Sequence, residues 1–243
     1  MTSRSWPQRQ QFLGRIEQRL ESLPARPVWY PGAVDLHQNA TGDSVSNGCL
    51  QPKLFRDVHR ESHPHWFARE WFIPSAVETT VEGESIEDFC VAVSQIVHDL
   101  PGNLAASVTR PDGMATHDES RVELLIEHMR YGVVAVNTWS ALAYAVANVP
   151  WGGFPGGTIE SPESGLGYVH NPCFLPLVHN TILRAPLRVW PMPPWFPWHR
   201  KGRRLAEGVA EMYSAITAGK SGIWNLVRIC LLYTSPSPRD ATL

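Results

Sequence analysis

Residues 104–137, LAASVTRPDGMATHDESRVELLIEHMRYGVVAVN, decide the fold class of this chain. Short apolar runs at Leu104–Thr109 and Gly132–Asn137 predict two buried strands, and RPDG at 110–113 predicts a turn after the first. Between the strands, from Asp118 to Arg130, apolar residues recur every three or four positions and predict a helix buried along one face. These residues are Val122, Leu125, Ile126 and Met129. A strand, a helix and a strand in this order favour a parallel pair joined by a crossover.

The same alternation extends towards the N-terminus. Helical spacing predicts a helix from Ile86 to His98, and acidic residues near its start favour a helix N-terminus. Candidate strands lie at Leu54–His59 and Phe72–Thr80, the second rich in β-branched residues. Strands separated by helices of this length imply right-handed crossovers and a mainly parallel sheet covered by helices on both faces. We therefore predict an α/β fold over residues 54–137.

The regions outside this core differ from one another. An amphipathic helix is predicted from Pro7 to Leu23, whereas residues 26–48 lack periodicity and indicate a long surface excursion. The sequence RVWPMPPWFPWHR at Arg188–Arg200 predicts an ordered or semi-rigid connector, because closely spaced prolines resist helix formation. A final helical pattern runs through Leu205, Val209, Met212 and Ile216.

The last residues, Cys230–Leu243, break from the pattern of the rest of the chain. Their sequence, CLLYTSPSPRDATL, resembles the in-frame translation of a transposase-type sequencing-library adapter, so we expect this segment to be unstructured and to add nothing to the fold. The alternative is an ordinary disordered tail. The predicted organisation is an α/β domain over residues 1–200, a helical extension over 201–229 and an artefactual tail over 230–243.

Composition excludes several classes of function. The chain has 243 residues, with 23 acidic and 21 basic side chains and a net charge of −2. This balance gives no electrostatic reason to expect a nucleic acid or an anionic membrane as a partner. No apolar run approaches the roughly 18 residues that span a bilayer, and no hydrophobic segment follows the arginines of the N-terminus. We therefore expect a cytoplasmic protein that binds neither nucleic acid nor membrane.

Residue types common in catalytic and metal sites are present without a recognised motif. The cysteines lie far apart with no CxxC pair, which favours reduced thiols and argues against a zinc site. They are Cys49, Cys90, Cys173 and Cys230. Cys90 falls on the apolar face of a predicted helix, as expected of an inert core thiol. No GxSxG motif occurs, so residue types and their spacing alone identify no catalytic residue.

Two further segments have structural explanations. The histidines of HRESHPHW are expected in a surface loop without helical structure, because a proline separates two of them and no carboxylate–histidine signature frames them. They are His59, His63 and His65, and we predict no metal site there. The segment PWGGFPGG at 150–157 matches neither GxGxxG nor the phosphate-loop pattern, and turn glycines with positive φ explain it.

Four segments also resemble, in order, motifs from the C-terminal half of the aldehyde dehydrogenase superfamily. Residues 68–74, AREWFIP, are similar to its EExFGP segment, and residues 86–110 resemble its helix followed by a GLAAsvfT strand. Residues 130–137, RYGVVAVN, resemble its GxVxVN strand. Residues 150–154 and 164–167, PWGGF and SGLG, resemble its PFGGxxxSGxG motif with an insertion. The resemblance covers the predicted α/β region and the glycine-rich segment after it, and implies the catalytic-domain half of that fold.

The resemblance implies an oxidoreductase that acts on an aldehyde with NAD or NADP as cofactor. In the family a cysteine thiolate attacks the aldehyde, the thiohemiacetal passes hydride to the cofactor, and the thioester is then cleaved. Glu70 is implied to accept hydrogen bonds from the nicotinamide-side ribose, and Phe72 to limit movement of the nicotinamide end. Arg69 and Ile73 depart from the family pattern, because they stand where the family has an acid and a glycine. The alternative for Glu70 is a solvated acid paired with a neighbouring arginine.

The family's nucleophilic cysteine and nucleotide-binding domain lie farther upstream than the 69 residues that precede Glu70 here. No cysteine of this chain matches the nucleophile motif, so the chain alone is expected to bind NAD(P) weakly or not at all. Asn137 is expected to bond a turn rather than to act in catalysis. One hypothesis is a truncated aldehyde dehydrogenase, whose complete form has an aldehyde substrate and could be a homo-oligomer. The other is a non-catalytic binding or assembly module that retains only this half.

Overall fold

The computed structural model describes residues 1–45, 47–146, 148–189 and 201–234. The chain divides into two compact units, Met1–Arg184 and Ala185–Leu243. The strands are β1 (Thr2–Ser3), β2 (Arg26–Pro27), β3 (Cys49–Leu50), β4 (Lys53–Phe55), β5 (Ser75–Val77), β6 (Thr80–Val81), β7 (Ala105–Val108), β8 (Val133–Val136), β9 (Trp151–Gly152), β10 (Tyr168–Val169) and β11 (Thr181–Arg184). The helices are α1 (Arg9–Glu21), α2 (Ala33–Thr41), α3 (Ile86–His98), α4 (Thr116–His128), α5 (Leu142–Ala145), α6 (Gly202–Thr217) and α7 (Ile223–Thr234).

A three-stranded parallel sheet forms the centre of the first unit. Its strand order is β11-β8-β7, and Val133 of β8 is aligned with Ala105 of β7 and Thr181 of β11. All four residues of β8 are buried, as expected for the middle strand of a parallel sheet. The predicted α/β class and the parallel pairing of the strands at 104–109 and 132–137 are therefore confirmed.

Helices α3 and α4 pack together on one face of this sheet. A single apolar cluster joins Cys90 and Val93 of α3 to Ile126 of α4 and to Val134 and Val136 of β8. Alternate residues of a strand point to opposite faces, so residues two apart in β8 face the same helices. The expectation that helices cover both faces was wrong for α3 and α4. Helix α4 is the crossover from β7 to β8, whereas α3 enters β7 from a strand outside this sheet. Both helices pack against Val134 and Val136, which point to one face of β8.

The start of α3 is fixed by its own sequence. The Ser85 side chain accepts a hydrogen bond from the Asp88 backbone N–H, and the Asp88 carboxylate accepts one from the Ser85 N–H, at 3.1 Å each. This reciprocal capping satisfies two backbone groups that a helix start leaves unpaired. The predicted helix Ile86–His98 is therefore confirmed at its exact bounds.

The two predicted N-terminal strands do not join the central sheet. Leu54–His59 shortens to β4, which pairs in parallel with β5, while β6 pairs separately in parallel with β1. The expected Phe72–Thr80 strand is thus interrupted between β5 and β6. Asp57 has a φ of 52°, a left-handed conformation that bends the chain after β4 and ends its ladder with β5. The predicted continuous sheet was therefore wrong, although each of these small pairs is parallel.

The N-terminal helix is confirmed as α1, but the excursion at 26–48 contains an unpredicted helix. Helix α2 lies between Gly32 and Gly42, whose φ values are 79° and 73°. Glycine adopts this left-handed conformation at little cost, so the two glycines delimit α2. Pro, Asn and Asp in this stretch had favoured a loop, and the helix instead buries Ala33 and His37.

The second unit contains the helices α6 and α7. They pack closely where Gly208 meets Ile229, because a Cβ at 208 would lie 3.0 Å from the Ile229 side chain. Glu211 and Arg228 add an ion pair at 3.1 Å. The helical pattern through Leu205–Ile216 is confirmed. The expectation of no structure from Cys230 onwards was wrong for residues 230–234. These residues form the last part of α7, because they extend the apolar sequence of that helix.

The predicted connector lies mostly outside the described residues, which omit 190–200, and the remainder of the predicted tail, 235–243, lies outside them too. In the part of the chain that the structure describes, no helix is both long and apolar enough to cross a bilayer.

Candidate cofactor-binding segment

The segment that carries Glu70 and Phe72 is irregular backbone between two fixed ends. A 3₁₀ helix at Pro64–Phe67 precedes it, and β5 follows it. The helix includes Pro64 and His65, so the expectation of a loop without helical structure was wrong for these two residues. Proline at the first position leaves no helix hydrogen bond unmade, which permits one short turn.

Glu70 is exposed to solvent. Within the described residues its carboxylate makes no hydrogen bond and no ion pair, so the alternative of an acid paired with a neighbouring arginine is not observed. Arg69 lies instead over the ring of Trp71, with its guanidinium carbon 4.6 Å from the ring centroid. Both carboxylate oxygens of Glu70 are therefore available to donors from outside the segment.

Phe72 stacks on the ring of Tyr30. The ring centroids are 4.7 Å apart and the planes differ by 12°, while 53% of Phe72 remains exposed. Its φ of 53° is unusual for a bulky residue, since the left-handed region crowds a side chain. Residues held in such conformations cost about 1–3 kcal/mol and persist where surrounding contacts determine them. Tyr30 supplies such a contact from 42 positions earlier in the chain.

An aromatic cluster holds the first half of the segment. The Trp71 indole N–H donates to the Trp66 carbonyl at 3.3 Å, and the Trp66 ring packs against Phe55 of β4 with centroids 5.1 Å apart. Trp66 is buried, whereas Trp71 is partly exposed. These contacts fix the backbone on one side of Glu70 while its own side chain stays in solvent.

Ile73 stands where the resembled family has glycine, and the backbone there needs no glycine. The left-handed conformation falls on Phe72, one residue earlier. The Ile73 carbonyl accepts a hydrogen bond from Ser75 N–H at 2.8 Å, and the Pro74 carbonyl accepts one from Lys53 N–H at 3.1 Å. Isoleucine in place of glycine is therefore compatible with the backbone hydrogen bonds at the start of β5.

The two halves of the glycine-rich motif meet despite the insertion between them. Strand β9 pairs with β10, which places Gly152 opposite Tyr168. A Cβ at Gly153 would lie 3.1 Å from the Gly165 carbonyl and 2.8 Å from Asn103 Oδ1. Close backbone approach therefore explains these glycines. The expected positive φ was wrong for Gly152, Gly153 and Gly157 and is confirmed for Gly156, where φ is 121°.

Asn103 fastens this glycine cluster to the start of β7. Its backbone N–H donates to the Ser164 hydroxyl at 2.7 Å, and its carbonyl accepts from Phe154 N–H at 3.1 Å and from Gly132 N–H at 2.8 Å. One residue thus ties together the loop before β7, the residue before β8 and both parts of the motif.

Asn137 has the scaffold role that was expected. Its side-chain oxygen accepts a hydrogen bond from the Arg110 backbone N–H at 2.9 Å, and its own N–H donates to the Val108 carbonyl at 2.9 Å. Its φ of 57° lies in the left-handed region that asparagine tolerates. Asn137 therefore links the carboxyl ends of β7 and β8 by hydrogen bonds.

The four cysteines lie in separate parts of the chain. Cys90 is buried in the apolar cluster, and burial, with a smaller effect of Asp118, raises the pKa of its thiol. A raised pKa disfavours the thiolate, and the expected place of Cys90 in the apolar core is confirmed. Cys49 is part of β3, and Cys173 and Cys230 are exposed.

The three histidines do not converge on one point. His63 Nδ1 lies 2.8 Å from the hydroxyl of Ser62, and the rings of His63 and His65 are 6.2 Å apart. Among the residues described, no group of three or more His, Cys, Asp or Glu side chains is placed to hold a metal ion.

Sequence reasoning missed a buried charge cluster around Arg9 and Glu78. Arg9 Nη2 lies 2.8 Å from Glu78 Oε2 and 2.7 Å from Asp57 Oδ1, and the hydroxyls of Thr2 and Thr80 complete the cluster. Burial opposes ionisation of Glu78, but the hydrogen bonds from Arg9 and Thr2 outweigh it and hold its pKa below the usual value. The available signal was a glutamate inside the β-branched run VETTV at 77–81.

No protein-family model, no curated protein and no solved structure matches the chain.

Proposed function

We propose that this chain is the C-terminal, substrate-side half of an NAD(P)-dependent oxidoreductase similar to the aldehyde dehydrogenases, which in its complete form acts on an aldehyde. Glu70 and Phe72 are its cofactor-binding residues. The observation that carries the proposal is the close approach of Gly153 to Gly165, because PWGGF and SGLG resemble the two parts of one family motif. Residues 154–163 separate the two parts, about seven more than the three that the family motif has in this place, and contact across them is what a shared motif requires.

The candidate segment fits one end of the cofactor. The exposed Glu70 carboxylate offers two acceptor oxygens, which suit the vicinal hydroxyls of a ribose. The Phe72 ring is held on one side by Tyr30, so it presents an apolar surface that would limit movement of the nicotinamide end. When bound, NAD(P) supplies the hydride acceptor of the reaction. This chain's part is to bind and orient the nicotinamide end.

The order of the elements gives further support. The helix and strands that resemble the family are α3, β7 and β8, and they form one packed core with α4. The resembled segments therefore belong to one folded unit, as expected if they descend from one domain.

The reading frame upstream of the Met1 codon tests the proposal. A truncated dehydrogenase predicts an open frame that continues into a glycine-rich nucleotide-binding region and a nucleophilic cysteine. Expression of the extended frame is then expected to yield aldehyde-dependent reduction of NAD or NADP. A stop codon with a ribosome-binding site directly upstream of Met1 would overturn the proposal and favour a binding or assembly module.

A further inference from the structure

The turn before β3 contains the only asparagine of the chain that is followed by glycine, Asn47. Both Asn47 and Gly48 are exposed, with φ values of 60° and 61°. Within the described residues neither the Asn47 side-chain amide nor the Gly48 N–H makes a hydrogen bond. Among the described residues, no hydrogen bond therefore holds either of the two groups that would react with each other.

We propose that Asn47 is a site of spontaneous deamidation. The Gly48 backbone nitrogen attacks Cγ of Asn47, a C–N bond forms, and the side-chain nitrogen leaves as ammonia with the proton lost from Gly48. Water then opens the cyclic imide at either carbonyl, giving aspartate or isoaspartate at position 47. The attack needs rotation about the Asn47–Gly48 backbone, and a Cβ added at 48 would meet nothing within 4 Å, so the surroundings do not oppose it.

The other asparagines provide internal contrasts. Asn39 lies within α2, where a regular backbone keeps the next nitrogen away from the side chain. Asn171 is followed by proline, whose nitrogen carries no proton and cannot attack. The side chain of Asn137 is engaged by Arg110 N–H. Deamidation is therefore expected to be selective for Asn47.

Isoaspartate at 47 would add one backbone atom next to the β2–β3 pair. This pair lies close in sequence to Tyr30, which contacts the candidate segment. The Gly48 carbonyl accepts a hydrogen bond from Val28 N–H at 2.9 Å, next to the β2–β3 pair. Two residues later, Tyr30 stacks on Phe72. We expect the modified turn to weaken the Val28 bond and to raise hydrogen exchange at the Val28 amide. This chemistry holds whether or not the chain is half of a dehydrogenase.

Peptide mapping by mass spectrometry tests the site directly. The purified chain is incubated at neutral and mildly alkaline pH and digested with trypsin, which leaves Asn39 and Asn47 in one peptide, Leu20–Lys53, because Arg26 precedes a proline. We expect two acidic products at position 47 that accumulate severalfold faster than any product at Asn39. Their rate should rise with pH, since the attacking nitrogen must lose its proton.

Two variants serve as controls. Gly48→Ala is expected to slow the reaction severalfold by crowding the attacking nitrogen, and Asn47→Gln is expected to abolish the fast acidic products while keeping Gly48. Retention of the amide at Asn47, or a rate no faster than that at Asn39, would overturn the proposal. A Gly48→Ala chain that reacts as fast as the parent would overturn the cyclic-imide route.

Discussion

The helix-covered sheet and the segment Ala68–Pro74 are stabilised in different ways. In the sheet, α3 and α4 bury whole faces against β8, and the residues that meet recur at regular spacing along the chain. In the segment, the backbone is irregular and depends on distant aromatic partners, with Tyr30 on Phe72 and Phe55 on Trp66. The difference shows why the segment can leave Glu70 and Phe72 exposed. Its shape is set by neighbours rather than by burial of those two side chains.

The largest expected loss of stability comes from creating a cavity in the apolar cluster between the helices and the sheet. Ile126 is fully buried in the apolar cluster, so Ile126→Ala should lower the free energy of unfolding by about 2–5 kcal/mol. Urea denaturation measures this loss. Leu124→Ala, on the exposed side of the same helix at 44% exposure, is the matched control and should cost far less. Equal losses in the two variants would contradict the assigned faces of α4.

The helix-covered sheet was largely predictable from the sequence, whereas the contacts of the segment Ala68–Pro74 were not. Local periodicity and the acidic residues near its start were sufficient to predict α3, because its start is fixed locally, by Ser85 and Asp88. The breaks in the N-terminal strands were not predictable, since they depend on Asp57 and on long-range pairing of β6 with β1. The Tyr30–Phe72 stack was equally hidden, because no local pattern links residues 42 positions apart. Resemblance pointed to Glu70 and Phe72, but only the fold shows what holds them.

The next effect concerns the buried charge cluster beyond β5. Glu78→Gln removes the anion that faces Arg9, and loss of this charge-assisted pairing should cost about 2–3 kcal/mol of stability at neutral pH. Because the folded-state pKa of Glu78 is lowered, its contribution is present above its unfolded pKa and is lost as pH falls through the lowered value. The parent chain should therefore lose more stability on acidification than Glu78→Gln does.

Thermal unfolding across acidic pH checks this dependence. Glu61→Gln, at an exposed glutamate, is the control and should follow the parent curve. A Glu78→Gln chain as stable as the parent at neutral pH would contradict the assigned charge pairing.

A smaller and more local effect is expected at the stacked rings. Tyr30→Leu removes the ring that supports Phe72, which should cost about 0.5–1.5 kcal/mol and raise hydrogen exchange in residues 68–74. Trp29→Leu alters a residue that is 92% exposed and should leave exchange in that segment unchanged. Equal hydrogen exchange in residues 68–74 of the two variants would show that Tyr30 does not hold Phe72.

The isolated chain is expected to show no aldehyde oxidation. Catalysis needs a thiolate, a hydride acceptor and oxyanion donors held together, and Cys90 is buried, which raises the pKa of its thiol. The assay follows reduced nicotinamide by absorbance with short, long and aromatic aldehydes. Turnover that Cys49→Ala or Cys90→Ala abolishes would show a complete site within this chain.

The most direct test of the central claim is calorimetric titration of NAD and NADP into the complete gene product. Glu70→Gln should weaken binding of the preferred cofactor roughly tenfold, or about 1.4 kcal/mol, because the ribose loses a charged acceptor. Glu61→Gln should bind as the parent does. Unchanged affinity in Glu70→Gln, or no cofactor binding by the complete parent protein, would contradict the assignment of this segment.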